Sequence, residues 1–392
     1  MLFHRFVYPF ILVLSLFVTG CSQPTDESTA APPPAKAEAA EQMAAVAIPD
    51  PHAAKVAAQI LQQGGNAVDA AVATGFALAV TYIDAGNIGG GGFMLTQMNG
   101  ESAFLDYREK AALAAHRDMY LDENGDVIPS ASLLGAQAAA VPGTVAGLWK
   151  AHERYGKLPW NDVVLPAIDL AENGFYPASI LVEDIQAHYA QFEGKTNFRE
   201  YFGEISTDVL FKQAELGATL RRIAAGGRDE FYRGKTAELI AAQMARSDGL
   251  ITLEDLAAYE AVWREPLRSS WRDYEILSAP PPSSGGFAVV QLLKMKDYLA
   301  HHFEGVAHNS PQYIHLVAEM EKRVFADRAE YMGDPDFVDV DMGALLAEEY
   351  IARRAQEVNP DTISQLDAVA PGNGSDLSTD EEVNLEAKGV EE

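Results

Sequence analysis

Hydrophobic and polar positions along this chain recur in helical steps over most of its length and in strand steps over only a few short stretches. From His52 to Gln63, Ala53, Val56, Ala57, Ile60 and Leu61 fall at helical spacing until Gly64-Gly65 stops the run. Asn66 is placed to cap the next helix, Ala67 to Val80, which is apolar nearly all round and so belongs inside a layer. Phe93 to Met98 and Ser102 to Tyr107 read as two strands joined by Asn99-Gly100, a strong two-residue hairpin signal. Asn124-Gly125 marks a further turn. Helical patterning resumes at Leu148 to Tyr155, again at Asn161 to Asn173 where Gly174 ends it, and through most of 180–245. Thr252, three positions before Asp255, signals a capped helix. Tyr274 to Leu277 predicts a short strand, Pro280-Pro-Pro-Ser-Ser-Gly-Gly286 a stiff turn opening a helix at Phe287, and Ser310 to Tyr331 a long helix. Buried apolar helices need a sheet to cover, and the strands in view are too few to supply it. The pattern therefore predicts an incomplete layer system that a partner segment completes.

The two ends break this pattern. Phe6 to Val18 is an apolar run behind His4 and Arg5, too short and too early for a good membrane-spanning helix, and it reads as an export signal over residues 1–20. Its close, Val18-Thr-Gly-Cys21, resembles a bacterial lipoprotein cleavage box. On that reading Cys21 carries lipid, and the protein is periplasmic and held to the bacterial outer membrane. The other reading is an ordinary signal peptide that contains a cysteine. Residues 21–45, rich in Ala, Pro, Glu and Ser, predict a flexible tether, and 46–366 the folded body. From about Asp367 neither period nor core residues remain, which predicts an acidic disordered linker over 367–392.

Composition narrows the partners. The 392 residues carry 29 Lys and Arg against 57 Asp and Glu, a net charge of −28. Such a surface repels nucleic-acid phosphates and anionic headgroups, which argues against a nucleic-acid partner. With Cys21 the only cysteine, no intrachain disulfide can form.

The most informative stretch is Ala85-Gly-Asn-Ile-Gly-Gly-Gly-Gly-Phe-Met94, followed by Leu105-Asp-Tyr-Arg108-Glu. Gly89, Gly90, Gly91 and Gly92 remove four side chains from one loop, permitting positive backbone angles or close approach of a ligand or another backbone. With Asn87 they form a candidate pocket loop. It is not a phosphate loop, since no Lys-Ser/Thr follows and the segment enters a strand. Arg108 stands where the returning strand ends, offering a two-pronged donor to a carboxylate. The competing reading pairs it with Asp106 or Glu109. Ser283 and Ser284 lack a nucleophile elbow and read as helix caps. His315 and Glu319 lie four apart on a helix without a second ligand pair. Asp334, Asp336, Asp339 and Asp341 do not fit a calcium loop. Neither group calls for a metal, and no motif calls for a cofactor. From the residues alone, no catalytic nucleophile stands out.

Seven motifs, in order, resemble the gamma-glutamyltransferases (gamma-glutamyltranspeptidases, glutathione hydrolases). They are Gly64-Gly-Asn-Ala-Val-Asp-Ala-Ala-Val72, the glycine stretch, Asp106-Tyr-Arg-Glu109, Val141-Pro-Gly-Thr-Val-Ala-Gly147, Gly249-Leu-Ile-Thr-Leu-Glu-Asp-Leu256, Pro280 to Gly286, and Ala326 to Phe337. The resemblance implies an α+β fold, the αββα sandwich of N-terminal nucleophile hydrolases, here incomplete. It implies a precursor that cuts itself to expose an N-terminal threonine in a Thr-Thr-His-type segment, on a small subunit. That threonine takes the glutamyl group from glutathione and other gamma-glutamyl amides and passes it to water or to an amino acid or peptide. Arg108 matches the family arginine that binds the substrate α-carboxylate. Lys110 and Ala112 stand where Met and Pro are frequent. These 392 residues contain no Thr-Thr-His run; the nearest text is Leu377-Ser-Thr-Asp380. The expectation is thus a large-subunit portion, inactive by itself, which needs a small subunit self-cleaved from the same precursor or separately encoded. The alternatives are an inactive remnant or ligand-binding lipoprotein of the same fold, and a related amide acylase.

Overall fold

The computed structural model describes residues 44–194 and 196–373. By its contacts the chain divides into Met1–Ala45 and Val46–Glu392, and the description below is of the second unit. Cys21, the export signal and Leu377 to Asp380 lie outside the described residues. The first helices are α1 (Pro51–Gln62), α2 (Ala67–Thr81), α3 (Thr144–Tyr155), α4 (Trp160–Asn173), α5 (Ser179–Phe192), α6 (Phe198–Phe202), α7 (Ala214–Arg233), α8 (Lys235–Arg246) and α9 (Leu253–Ala258). After them come α10 (Gly285–Tyr298), α11 (Ala300–Phe303), α12 (Pro311–Tyr331), α13 (Met342–Leu345) and α14 (Glu348–Gln356). The strands are β1 (Phe93–Met98), β2 (Glu101–Asp106), β3 (Val262–Arg264), β4 (Leu267–Trp271) and β5 (Tyr274–Ser278). They form an antiparallel sheet in the order β1-β2-β3 and a separate β4-β5 ribbon.

Short-range chemistry explains where most elements start. Asp50 accepts from the Ala53 N–H at 2.7 Å and from the Thr81 hydroxyl at 2.8 Å, so one carboxylate begins α1 and ties it to the end of α2. Asn66 and Asp69 make a reciprocal capping box on α2, and Asp69, fully buried, also accepts from the Lys157 N–H at 3.0 Å. Val72, Phe76 and Val80 of α2 are fully buried, as an all-apolar helix requires. At the hairpin, Asn99 (φ 53°) and Gly100 (φ 83°) supply the two positive angles of a tight turn, which sets Phe93 opposite Asp106.

The structure departs from the sequence pattern at several points. The strands β3 and β4 fall where Pro266 and the polar run Arg268 to Ser270 blur any alternation. The third helix begins at Thr144, four residues before the apolar period shows. Ser284 stands at the N-cap position just before α10, but its side chain makes no capping bond; its hydroxyl instead accepts from Arg328 Nε at 2.7 Å. Ser283 Oγ accepts weakly from the Gly285 N–H at 3.3 Å.

Two apolar cores result. The larger gathers α1–α5, α7–α9 and Leu105 of β2. The smaller joins α10, α12, α13 and α14 around Phe287, Met295, Leu316, Val324 and Ile351. Buried charge organises this second core. Asp327, fully buried, accepts from Arg354 Nε at 3.1 Å and from the Gly372 N–H at 2.8 Å. Arg354 also donates to the Ala370 carbonyl at 3.1 Å. Main-chain bonds to the second core thus reach as far as Ala370 and Gly372. The anchors are main-chain atoms of Ala370 and Gly372, which no side-chain pattern reveals. Glu319 and His315 are likewise occupied: Glu319 pairs with Arg323 and Lys322, and His315 Nε2 lies 3.0 Å from the Asn359 carbonyl.

Burial alone would raise the Glu319 carboxyl, but hydrogen bonds from Lys322, Ser364 and Arg323 outweigh it and hold the group down at about 2. Its folded value is below the ordinary 4.5, so its contribution is full above that pH and drains away as pH falls toward 2. Thermal unfolding from pH 7 downward should show wild-type stability dropping across this window. Glu319→Gln should be less stable at pH 7 and lose less between pH 4.5 and 2; an unchanged slope would show that this carboxylate does not carry the acid sensitivity.

Candidate active site

The segment Asp106 to Lys110 leaves the sheet and is fixed by polar bonds at almost every residue. Tyr107 continues the hairpin, exchanging main-chain bonds with Gly92 at 3.0 and 3.2 Å. The Arg108 N–H donates to Asp106 Oδ1 at 3.0 Å, and the Arg108 carbonyl accepts from the Tyr259 hydroxyl at 2.7 Å. Lys110 bonds Val141 through both its N–H and its carbonyl, at 3.2 and 2.8 Å. The other oxygen of Asp106 accepts from Arg264 Nε at 2.8 Å, and Arg264 reaches on to Asp336 with two bonds at 2.9 and 3.1 Å. Arg264 thus links the larger core to the loop that leaves α12.

The alternative in which Arg108 pairs with Asp106 does not hold. Asp106 is buried and committed to Arg264 and to a main-chain N–H. The Arg108 side chain is exposed and makes no ion pair or hydrogen bond among the described residues, with Glu109 or any other group. It lines a cleft of about 280 Å³ together with Lys110, Tyr259, Arg264, Pro282 and Asp334. A fixed main chain thus carries a cationic fork whose donors are available to a ligand.

The glycine run has a different part from the one its composition suggests. None of Gly89 to Gly92 takes a positive φ, and none lines the Arg108 cleft. Their use is close approach. A Cβ on Gly91 would stand 2.6 Å from the Tyr107 carbonyl oxygen and 2.8 Å from the Glu109 nitrogen, and one on Gly92 would meet the Tyr107 ring. Gly90 offers its carbonyl to the N–H groups of Gly143 and Thr144, at 2.7 and 3.0 Å, where α3 begins. Gly143 and Gly147 leave room for Tyr107 from the other side, and burial pushes the Tyr107 hydroxyl up to about 12. Asn87 and Gly89 face elsewhere, onto a hollow of about 750 Å³ bordered by Ile83, Tyr201 and Leu216. The structure therefore joins Arg108 to Gly91 and Gly92 by backbone packing and separates it from Asn87 and Gly89.

Residues that pattern reading passed over are Arg264 and Tyr259. Tyr259 is buried and stacks on Tyr232, ring centroids 5.5 Å apart at 10°, and burial raises both hydroxyls. The Tyr232 hydroxyl donates to the Pro142 carbonyl at 2.7 Å. Two aromatic hydroxyls thereby hold the main chain of two quoted motifs. The residue signal was present, since polar handles on buried rings seek partners, but its targets are 90 and 151 residues away.

Comparison with known proteins now bears on this arrangement. Residues 53–383 match the family model described as gamma-glutamyltranspeptidase. The chain belongs to that family. It is 56% identical over 328 residues to a glutathione hydrolase proenzyme of Pseudomonas aeruginosa, covering 84% of this chain and 59% of the relative. For the glutathione hydrolase proenzyme of Escherichia coli K12 the identity is 42%, over 83% of this chain and 57% of the relative. The chain thus spans somewhat over half the length of these relatives. A solved gamma-glutamyltranspeptidase chain from Pseudomonas nitroreducens, complexed with L-DON, superposes with a TM-score of 0.83 at 55% identity, covering 84% of this chain and 99% of that one. The fold is accordingly the N-terminal nucleophile hydrolase fold of the family, with helices over a sheet that is small among the described residues.

The packing account separates two glycines of one run. Gly91→Ala should cost about 1–3 kcal/mol in urea unfolding, as overpacking against fixed backbone does. Gly89→Ala, whose Cβ would meet only Asn87 Oδ1 at 3.4 Å, should stay within about 0.5 kcal/mol. Equal costs would mean that close approach to Tyr107 is not why the run is glycine.

Proposed function

We propose that this chain is the large-subunit part of a gamma-glutamyltransferase and glutathione hydrolase, and that Arg108 grips the α-carboxylate of the gamma-glutamyl group. The observation that carries the reading is the guanidinium of Arg108, unpaired among the described residues, on a main chain bonded at Tyr107, Arg108 and Lys110. Its family motif and the relatives named glutathione hydrolase proenzyme supply the substrate class. Glutathione is such an amide: its first residue exposes a free α-carboxylate beside the bond to be cut.

In this reading the attacking hydroxyl belongs to a threonine in the companion small subunit. The threonine oxygen adds to the amide carbon while its own amine takes the proton. The amine portion of the substrate then leaves with a proton, and the glutamyl group remains as an ester. Water cleaves that ester to glutamate, or an amino acid or peptide takes the group. Arg108 contributes position: two charge-assisted bonds to the carboxylate fix the glutamyl chain so that its carbonyl meets the nucleophile. The chain by itself holds substrate without turning it over. No step needs a cofactor.

The same reading places the protein in the periplasm, anchored by lipid on Cys21, a proposal resting on Val18-Thr-Gly-Cys21. Cys21→Ser should abolish incorporation of labelled palmitate; continued labelling would remove the anchor from the account.

In the complete enzyme, Arg108→Ala should lower kcat/KM for gamma-glutamyl amide hydrolysis by roughly tenfold or more, since a charge-assisted pair contributes about 1.5–3 kcal/mol and about 1.4 is tenfold. Arg108→Lys should fail similarly, because a point charge does not reproduce the fork. Wild-type kinetics in Arg108→Ala would exclude this side chain from the site.

A further inference from the structure

We infer that Lys110 is a second anion-reading residue of the same cleft, favouring substrates that carry a carboxylate beyond the one held by Arg108. The inference rests on the reading of Arg108 given above. Both side chains line one cleft. They stand two residues apart in the segment that leaves β2. The root of Lys110 is as fixed as that of Arg108, because both its N–H and its carbonyl are taken by Val141. Its ammonium group is exposed and makes no ion pair or hydrogen bond among the described residues.

The acids around it decide what the cleft can take. Arg264 already satisfies Asp336 with two bonds, and these chiefly hold the Asp336 carboxyl below its usual range; the charge of Lys110 adds to that effect without a contact. Glu109, Glu260 and Asp334 also face the cleft. A small inorganic anion drawn by the two cations would meet these three carboxylates as well. A longer zwitterion fares better, with one carboxylate at Arg108, an amino group among the acids and a second carboxylate at Lys110. That description fits gamma-glutamyl donors whose amine portion is an amino acid or a peptide with a free C-terminus. Neutral aryl or alkyl amides would lack the contact with Lys110.

The test compares one gamma-glutamyl peptide as its free acid and as its C-terminal amide, using the complete enzyme. Wild type should prefer the acid about threefold to fivefold in kcat/KM, the range of an exposed charge pair. The preference should shrink as salt is raised. Lys110→Met should bring the acid-to-amide ratio close to one, and Lys110→Arg should retain it. No preference in wild type, or a Lys110→Met that slows both substrates equally, overturns the inference. Its failure is separable from that of the Arg108 reading. An inactive Arg108→Ala with an unchanged acid preference in Lys110→Met sinks only this inference, whereas an active Arg108→Ala sinks the reading beneath it.

Discussion

The buried carboxylate of Asp106 is the fixed point of this structure. One oxygen accepts the Arg108 N–H and the other accepts Arg264. It ends β2, turns the chain out of the sheet, and connects the sheet to the loop after α12. With the Tyr259 hydroxyl on the Arg108 carbonyl and Val141 on Lys110, it leaves the main chain from Asp106 to Lys110 almost no freedom. A net hydrogen bond contributes only about 0.5–1.5 kcal/mol. What these bonds chiefly supply is position. An arginine on a free loop would lose entropy on gripping a ligand, whereas one on a fixed backbone loses only side-chain freedom.

The glycines belong to the same construction. Gly90, Gly91 and Gly92 bring one loop against Tyr107 and the start of α3, while Gly143 and Gly147 open the facing surface. A partly buried tyrosine ring thus packs against the glycine backbones on both sides, and Arg108 follows it directly. Three motifs far apart in sequence serve one local geometry, which explains why each looks purposeful alone and none announces a nucleophile.

Local chemistry was legible in the sequence. The turn at Asn99-Gly100, the caps at Asn66 and Thr252, and the all-apolar character of α2 depend on neighbours within a few residues, and each appears where the pattern puts it. Long-range polar bonding was not legible. Asp255 reads as a capping partner of Thr252, and it is, but it also accepts the Leu113 N–H at 2.6 Å across 142 residues. Asp327 lies in the long helix that the pattern predicts, but nothing in its spacing tells that it is buried, paired with Arg354 and bonded to the Gly372 N–H. β3 escaped notice because three residues are too few to show alternation, and so its Arg264 went unassigned. The availability of Arg108 could not be read from the sequence either, since that requires knowing that Asp106 is already occupied.

The account stands on Arg108 presenting its guanidinium to an anionic amino-acid head while a companion polypeptide brings the nucleophile. The most direct measurement is a crystal structure of the complete enzyme with a gamma-glutamyl ligand bound. The account predicts two nitrogens of Arg108 within hydrogen-bonding distance of the two α-carboxylate oxygens, with Asp106 and Tyr259 still holding its main chain. A ligand carboxylate held by other residues, with the Arg108 side chain turned into solvent, would contradict it.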